Sequence, residues 1–372
     1  MSVKNVMGII FANVHDDLIP ELASNRSMAS VPFGGRYRLI DFSLSNLVNA
    51  GISKVGILTK NNYHSLMDHL GSGKPWDLDR KKGGMFILPP FNTTKAGIYR
   101  GHVDALAGVM TFLKRSREEY VVMCDADVIS NIDIDAMIQQ HLDLNADVTF
   151  AVKHGILPVN HRDTMIFDVD SNNNVLDIAV SEKSEAEVDF CLDIFVIKRE
   201  LLIDLITEAD RDRRTSISRH VFKPNVGKLR MSAFRVDSFA EVVDSAASYV
   251  KISKMLLDSH VRRQLFNPDR PVYTKTRDDM PTRYGIDAKI SNSIIADGCI
   301  IEGTVKNSIL FRGVKIGKGA KAENCIVMQG STIGENCAVS NITMDKNATI
   351  SDGVVISGTA ERNIFLPKEK TI

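Results

Sequence analysis

The last quarter of the chain repeats itself, and the repeat leaves few folds open. Asn292–Gly298 (NSIIADG) aligns with Asn307–Gly313 (NSILFRG), Asn324–Gly330 (NCIVMQG) and Asn341–Asn347 (NITMDKN). The copies are 15, 17 and 17 residues apart, and Ile301, Ile316, Ile333 and Ile350 each fall nine residues after the leading Asn. Within a coil the apolar positions recur about every six residues, as in Ile316-Gly317 and Ile333-Gly334. Short strands joined by tight turns at this period stack into a left-handed parallel β-helix of hexapeptide repeats with an aliphatic interior. An antiparallel sandwich would leave the fixed register unexplained. Some hexapeptide proteins are acyltransferases with a histidine base, but no histidine follows His260. That reading therefore lacks its base, leaving rigidity and oligomer contacts as the role of the repeat.

Before about residue 260 the period changes. Apolar runs at 6–12, 55–59, 120–124, 148–152 and 190–197 alternate with helical patterns at Val103–Lys114, Ile134–His141 and Arg199–Glu208. This predicts an α/β, Rossmann-like domain with a mostly parallel sheet covered on both faces. A last helix is expected near Ala240–Asp258, before the break at Asn267-Pro268-Asp269-Arg270-Pro271. The division is thus 1–262, a linker at 263–284, and a β-helix at 285–372. A chain of 372 residues is long enough for two cores.

Lys plus Arg and Asp plus Glu both number 46, which argues against nucleic-acid and membrane partners. With no signal peptide before the first strand and no apolar run of spanning length, a cytoplasmic location is expected. Cys124, Cys191, Cys299, Cys325 and Cys337 lack paired spacing and read as free buried thiols.

The first apolar run, Val6–Ala12, is followed by Asn13-Val14-His15-Asp16-Asp17-Leu18. A phosphate loop at this point needs glycines whose amides converge, and a basic side chain. Here there is no glycine, and two carboxylates are adjacent. Like unit charges about 5 Å apart repel by roughly 3 kcal/mol at an effective dielectric near 20. A triphosphate is disfavoured. Asp16 and Asp17 also suit the N-terminus of the helix that follows.

Several blocks resemble bacterial glucose-1-phosphate adenylyltransferase (ADP-glucose pyrophosphorylase) over nearly the whole chain. They are Val31–Asn46 (VPFGGRYRLIDFSLSN), Gly71–Arg80 (GSGKPWDLDR), Ile87–Pro90 (ILPP) and Tyr99–Ala105 (YRGHVDA). The resemblance implies a nucleotidyltransferase domain ahead of the β-helix. In that family sugar phosphate attacks the α-phosphate of ATP, helped by glycine amides, basic residues and Mg²⁺. Against the family's G-G-x-G-x-R loop this chain carries Asn13, Val14 and Asp16 for glycines and Leu18 for arginine. Met28 stands at the family's lysine position. The principal metal carboxylate corresponds to Asp125, either a remnant or a residual metal ligand. The second metal position carries Val242, with Asp244 two residues on.

The same comparison implies residual sugar-phosphate or nucleotide-like contacts at Gly101, Asp104, Glu182 and Lys183, although Glu182-Lys183 also reads as a surface ion pair. Arg26, Arg36 and Arg38 are effector or interface candidates, with Gly34-Gly35 forming a turn. His64, His69 and His102 show no metal-ligand spacing and read as packing or surface residues. The combined losses resemble the regulatory, non-catalytic subunit type, which implies a catalytic partner subunit in a heterotetramer, an anionic sugar-phosphate effector, and no cofactor of its own. Mg²⁺ then belongs to the partner. The alternatives are an active enzyme with an altered loop and a stand-alone sugar-phosphate sensor.

Overall fold

A computed structural model describes residues 5–12, 14–60, 62–90, 99–160, 163–181, 184, 186–359 and 361–372. The strand Val6–Phe11 lies at the heart of the first domain, parallel to Lys54–Leu58 on one side and Tyr120–Asp125 on the other. Its apolar run is unbroken because both faces are covered. Val6 and Ile10 join the cluster under the helices Leu39–Asn49 and Ile134–Asp143, whereas Met7, Ile9 and Phe11 join that under His102–Gly108 and Arg199–Arg211. Parallel pairing extends outward to Gly84–Leu88. On the far side Glu187–Lys198 runs antiparallel to Tyr120–Asp125 and to Val148–Ile156.

Two expected helices differ. Val103–Lys114 is broken at Val109 into His102–Gly108 and Met110–Arg115. Ala240–Asp258 begins as a strand: Ala240–Val242 pairs with Val128–Ser130, and the helix starts only at Ala246, capped by the Ser245 hydroxyl on the Ser248 amide. Pairing with the core outweighs local helix propensity there. The helix Ser259–Leu265 follows, and the coil strands begin at Arg283–Tyr284. The intervening segment is pinned rather than loose. Asn131 donates to the Leu265 and Arg270 carbonyls at 2.8 Å, and Tyr273 N–H donates to Ser45 Oγ at 2.9 Å.

The repeat folds into three parallel sheets of five strands each, a left-handed β-helix. Ile301, Ile316, Ile333 and Ile350 are direct neighbours from coil to coil and all buried. Each contributes about 1.5–3 kcal/mol by burial. The leading asparagines sit in the left-handed region, with φ from 41° to 55°, which Asn tolerates at turns. A shared apolar cluster joins the two domains. Phe33, Phe42 and Tyr249 pack with Ile309, Phe311 and Met328 of the β-helix. All five cysteines are free and buried. Among the described residues, no helix is long and apolar enough to cross a membrane.

Candidate functional site

The parallel strands end at a crevice, where open α/β sheets place their ligands. A cavity of about 440 Å³ opens there, lined by His15, Leu18, Lys60, Arg100, His102 and Thr215 among others. Behind His15 and His102 in its wall, the buried carboxylate of Asp125 ends the strand Tyr120–Asp125. His102, the first residue of its helix, places Nε2 3.0 Å from Asp125 Oδ2 and 3.1 Å from Oδ1. His15 places its Nε2 3.0 Å from the same Oδ2. An ionised carboxylate only accepts, so both rings donate through Nε2–H. Burial alone would raise the Asp125 carboxyl. Attraction to His102, with hydrogen bonds from His102 and His15, outweighs it and holds the group well below the usual range. The Phe11 ring meets His102 edge-on, centroids 4.6 Å apart.

This corrects the expectation that His102 is ordinary packing. His69 does pack internally, bonded to Asp41 at 2.6 Å, and His64 is exposed. The signal missed was topological: residues 15, 102 and 125 follow or end elements that share one sheet edge. Beyond the loop, the cavity gains two cations, Lys60 and Arg100, and two further carboxylates, Asp163 and Asp193. Burial lowers the Lys60 ammonium, opposed by Asp16 and Asp17. Arg100 pairs with Asp104 at 2.9 Å.

Asp16 and Asp17 lie in a short 3₁₀ turn, Asp16–Leu18, with no side-chain cap. Asp16 Oδ1 instead accepts the Met28 backbone N–H at 2.7 Å. The carboxylate thereby takes an amide at the mouth of the loop. The Met28 side chain is buried among Ile19, Leu22 and Phe33. Val14 and Leu18 are half-buried cavity walls. Val242 is buried in its strand pair. Gly101 approaches Thr215 so closely that a Cβ would lie 2.6 Å from its carbonyl oxygen. Asn13, Glu182 and Lys183 lie outside the described residues.

The residues around Asp125 do not fit the Mg²⁺ arrangement the resemblance implies. Mg²⁺ asks for an octahedral set of oxygens, whereas Asp125 is met by two imidazole nitrogens and Val242 offers no donor. Asp244, two residues beyond Val242, accepts from Asn160 N–H at 2.9 Å and from Ser245 Oγ at 3.1 Å.

A second, basic site lies between the domains. Gly34 and Gly35, at φ 58° and 89°, turn the hairpin that carries Arg36 and Arg38 toward the β-helix. A narrow cavity of about 30 Å³ is lined there by Arg36, Arg38, Lys275, Arg277, Arg312 and Lys346 among others. Arg38 donates to Ser65 O at 2.6 Å; burial lowers it to about 10, with Arg26 and Arg277 also opposing its charge and Asp41 favouring it. Burial, then Arg38 and Arg26, lower Lys346 to about 7. Arg26 is buried against Asp345 of the β-helix, Nη2 to Oδ2 2.5 Å. Arg36 is exposed, 4.0 Å from Asp297.

Comparison with known proteins adds to this geometry. Residues 18–162 match the family described as Nucleotidyl transferase, and residues 279–365 match the GlmU-like, C-terminal hexapeptide family. The chain is 38% identical to the glycogen biosynthesis protein GlgD of Geobacillus stearothermophilus over 320 residues, covering 85% of this chain and 82% of that protein. It is 34% identical to the GlgD protein of Bacillus subtilis (strain 168), covering 86% and 82%. It is also 34% identical to the glucose-1-phosphate adenylyltransferase of Thermosipho africanus (strain TCF52B), covering 86% and 78%.

Proposed function

The chain belongs to the family of GlgD glycogen biosynthesis proteins and glucose-1-phosphate adenylyltransferases, and from that premise we propose that it is a regulatory subunit in glycogen synthesis. It makes no ADP-glucose alone and tunes a catalytic homologue that does, in a cytoplasmic heterotetramer. The observation that carries this reading is the closed phosphate loop. The Asp16 carboxylate holds the Met28 amide, and the Met28 side chain is committed to the core. The loop itself therefore offers a triphosphate repulsion and supplies no cation of its own, leaving only Lys60 and Arg100 from neighbouring segments. Neither Mg²⁺ nor another cofactor is needed for the regulatory role; Mg²⁺ serves the partner.

Regulation needs a ligand or contact that distinguishes two states of the assembly. The basic residues at the mouth of the cleft between the domains support an anionic sugar-phosphate effector docking there by its phosphate, the interior of about 30 Å³ being too small for the whole molecule. Arg36, Arg38 and Lys346 present positive charge on opposite sides of a small opening, while Arg26–Asp345 ties the same two domains together. An anion in that cleft bears directly on their packing. Lys60, Arg100 and Thr215 in the larger cavity are what a second reading rests on, residual sugar-phosphate binding at the former active site, although Asp16, Asp17, Asp163 and Asp193 share the same lining.

Co-expression with a catalytic homologue tests the assignment. A single assembly containing both chains, whose apparent substrate affinity or maximal rate across a panel of anionic metabolites differs from the homologue alone, is expected. A chain that stays apart and leaves those parameters unchanged overturns it.

A further inference from the structure

The disagreement with Mg²⁺ at Asp125 points to a different ligand. We propose that His15, His102 and Asp125 form a binding site for a late first-row divalent cation of the zinc class, with its remaining position open to the cavity. One ligand atom from each residue lies within 4.8 Å of the others. Both imidazole Nε2 atoms stand 3.0 Å from the same Asp125 Oδ2. Ligands about 2.0–2.2 Å from one cation, at angles between square and tetrahedral, lie roughly 3.0–3.5 Å apart. Both imidazole–carboxylate separations already meet this, and the two imidazole nitrogens, within 4.8 Å of each other, would close toward the same spacing to share an ion.

The donor chemistry selects the cation. Imidazole nitrogen suits zinc, cobalt, nickel and copper, whereas magnesium asks for oxygen and keeps its water. Two neutral nitrogens and one carboxylate leave a net positive charge on the bound ion. His15 and His102 are the partly exposed members and line the cavity, while Asp125 lies beneath them. An open site of three protein ligands follows, with water or an anionic oxygen completing the shell. Without metal the hydrogen bonds to Asp125 keep the rings aimed at one point. On binding, each ring presents its Nε2 lone pair and carries its proton on Nδ1.

The inference rests on these three side chains and stands apart from the regulatory reading, which requires no metal on this chain. The test uses the full-length chain, stripped with chelator and titrated with Co²⁺, whose visible bands report coordination number. One Co²⁺ per chain with four- or five-coordinate bands is expected, displaced by Zn²⁺ but not by excess Mg²⁺. His15→Gln and His102→Gln should each weaken Co²⁺ binding at least about tenfold, with circular dichroism unchanged. His154→Gln, at an exposed histidine paired with Asp189, should bind as the parent does. Absence of stoichiometric binding in the parent, equal competition by Mg²⁺, or parent-like affinity in both site variants would overturn the proposal. Kinetics of a partner enzyme play no part in this readout, so its failure is separable from failure of the functional assignment.

Discussion

His102 Nε2 lies 3.0 Å from Asp125 Oδ2, joining the first residue of a helix to the last residue of a central strand. His15 shares that oxygen, and the pair of donors holds the Asp125 carboxyl below its ordinary range despite burial.

The sign of the resulting pH dependence is fixed. A carboxyl depressed in the folded state contributes stability that is present above its unfolded pKa, about 3.9, and is lost as pH falls toward the folded value. Asp125→Asn should therefore cost on the order of 1–3 kcal/mol near neutrality, with the gap to the parent shrinking below about pH 4. Urea unfolding across that range checks it. A gap that stays constant down to the acid transition contradicts the assignment.

Met28→Lys should not restore a phosphate site. The new ammonium would enter the cluster of Ile19, Leu22 and Phe33, at a cost of roughly 2 kcal/mol or more, and shift toward its neutral form. Leu18→Arg, on the cavity wall, should change stability by less than about 1 kcal/mol. Thermal unfolding separates the two. Equal tolerance of both substitutions would show that Met28 is not committed to the core.

The Arg26–Asp345 pair binds the domains through groups almost wholly withdrawn from water. Arg26→Met strands a buried carboxylate and should destabilise by about 3–5 kcal/mol. Adding Asp345→Asn should recover part of that loss, because the uncompensated charge is gone. Denaturant unfolding of the single and double variants measures the coupling, and strict additivity would contradict it.

Lys346 gives the basic cleft its own pH response. With its pKa lowered to about 7, its charged form destabilises the fold, so stability should rise as pH climbs from about 7 toward the unfolded value near 10.4. Anion binding favours the charged form and should weaken as pH rises through 7. Calorimetry with a sugar bisphosphate at pH values on either side of 7 should show this decline, with Lys346→Gln flattening it. An affinity equally pH-dependent in the variant would place the response elsewhere.

The repeat was legible because its interaction pattern is one-dimensional: each Ile meets its counterpart one coil away, so sequence spacing is spatial spacing. Val6–Phe11 was legible because burial on both faces leaves an unbroken apolar run. The break at Val109 and the strand Ala240–Val242 were not, since tertiary pairing decides them. Asp16 reaching the Met28 amide, and His15 meeting His102 across Asp125, depend on where separate loops return to one sheet edge. No local period encodes that. The family motifs located Asp125, but the typical role of its position did not foretell its two imidazole neighbours.

The proposed function is a division of labour, in which this chain transfers no adenylate itself but alters a homologue that does. Pyrophosphate release from ATP, glucose 1-phosphate and Mg²⁺ should be measured for the purified chain alone, for a catalytic homologue alone, and for the two together. Background release by the chain alone, with the mixture differing from the homologue in apparent affinity or maximal rate, is predicted. Sustained turnover by the chain alone at the homologue's rate would contradict the account.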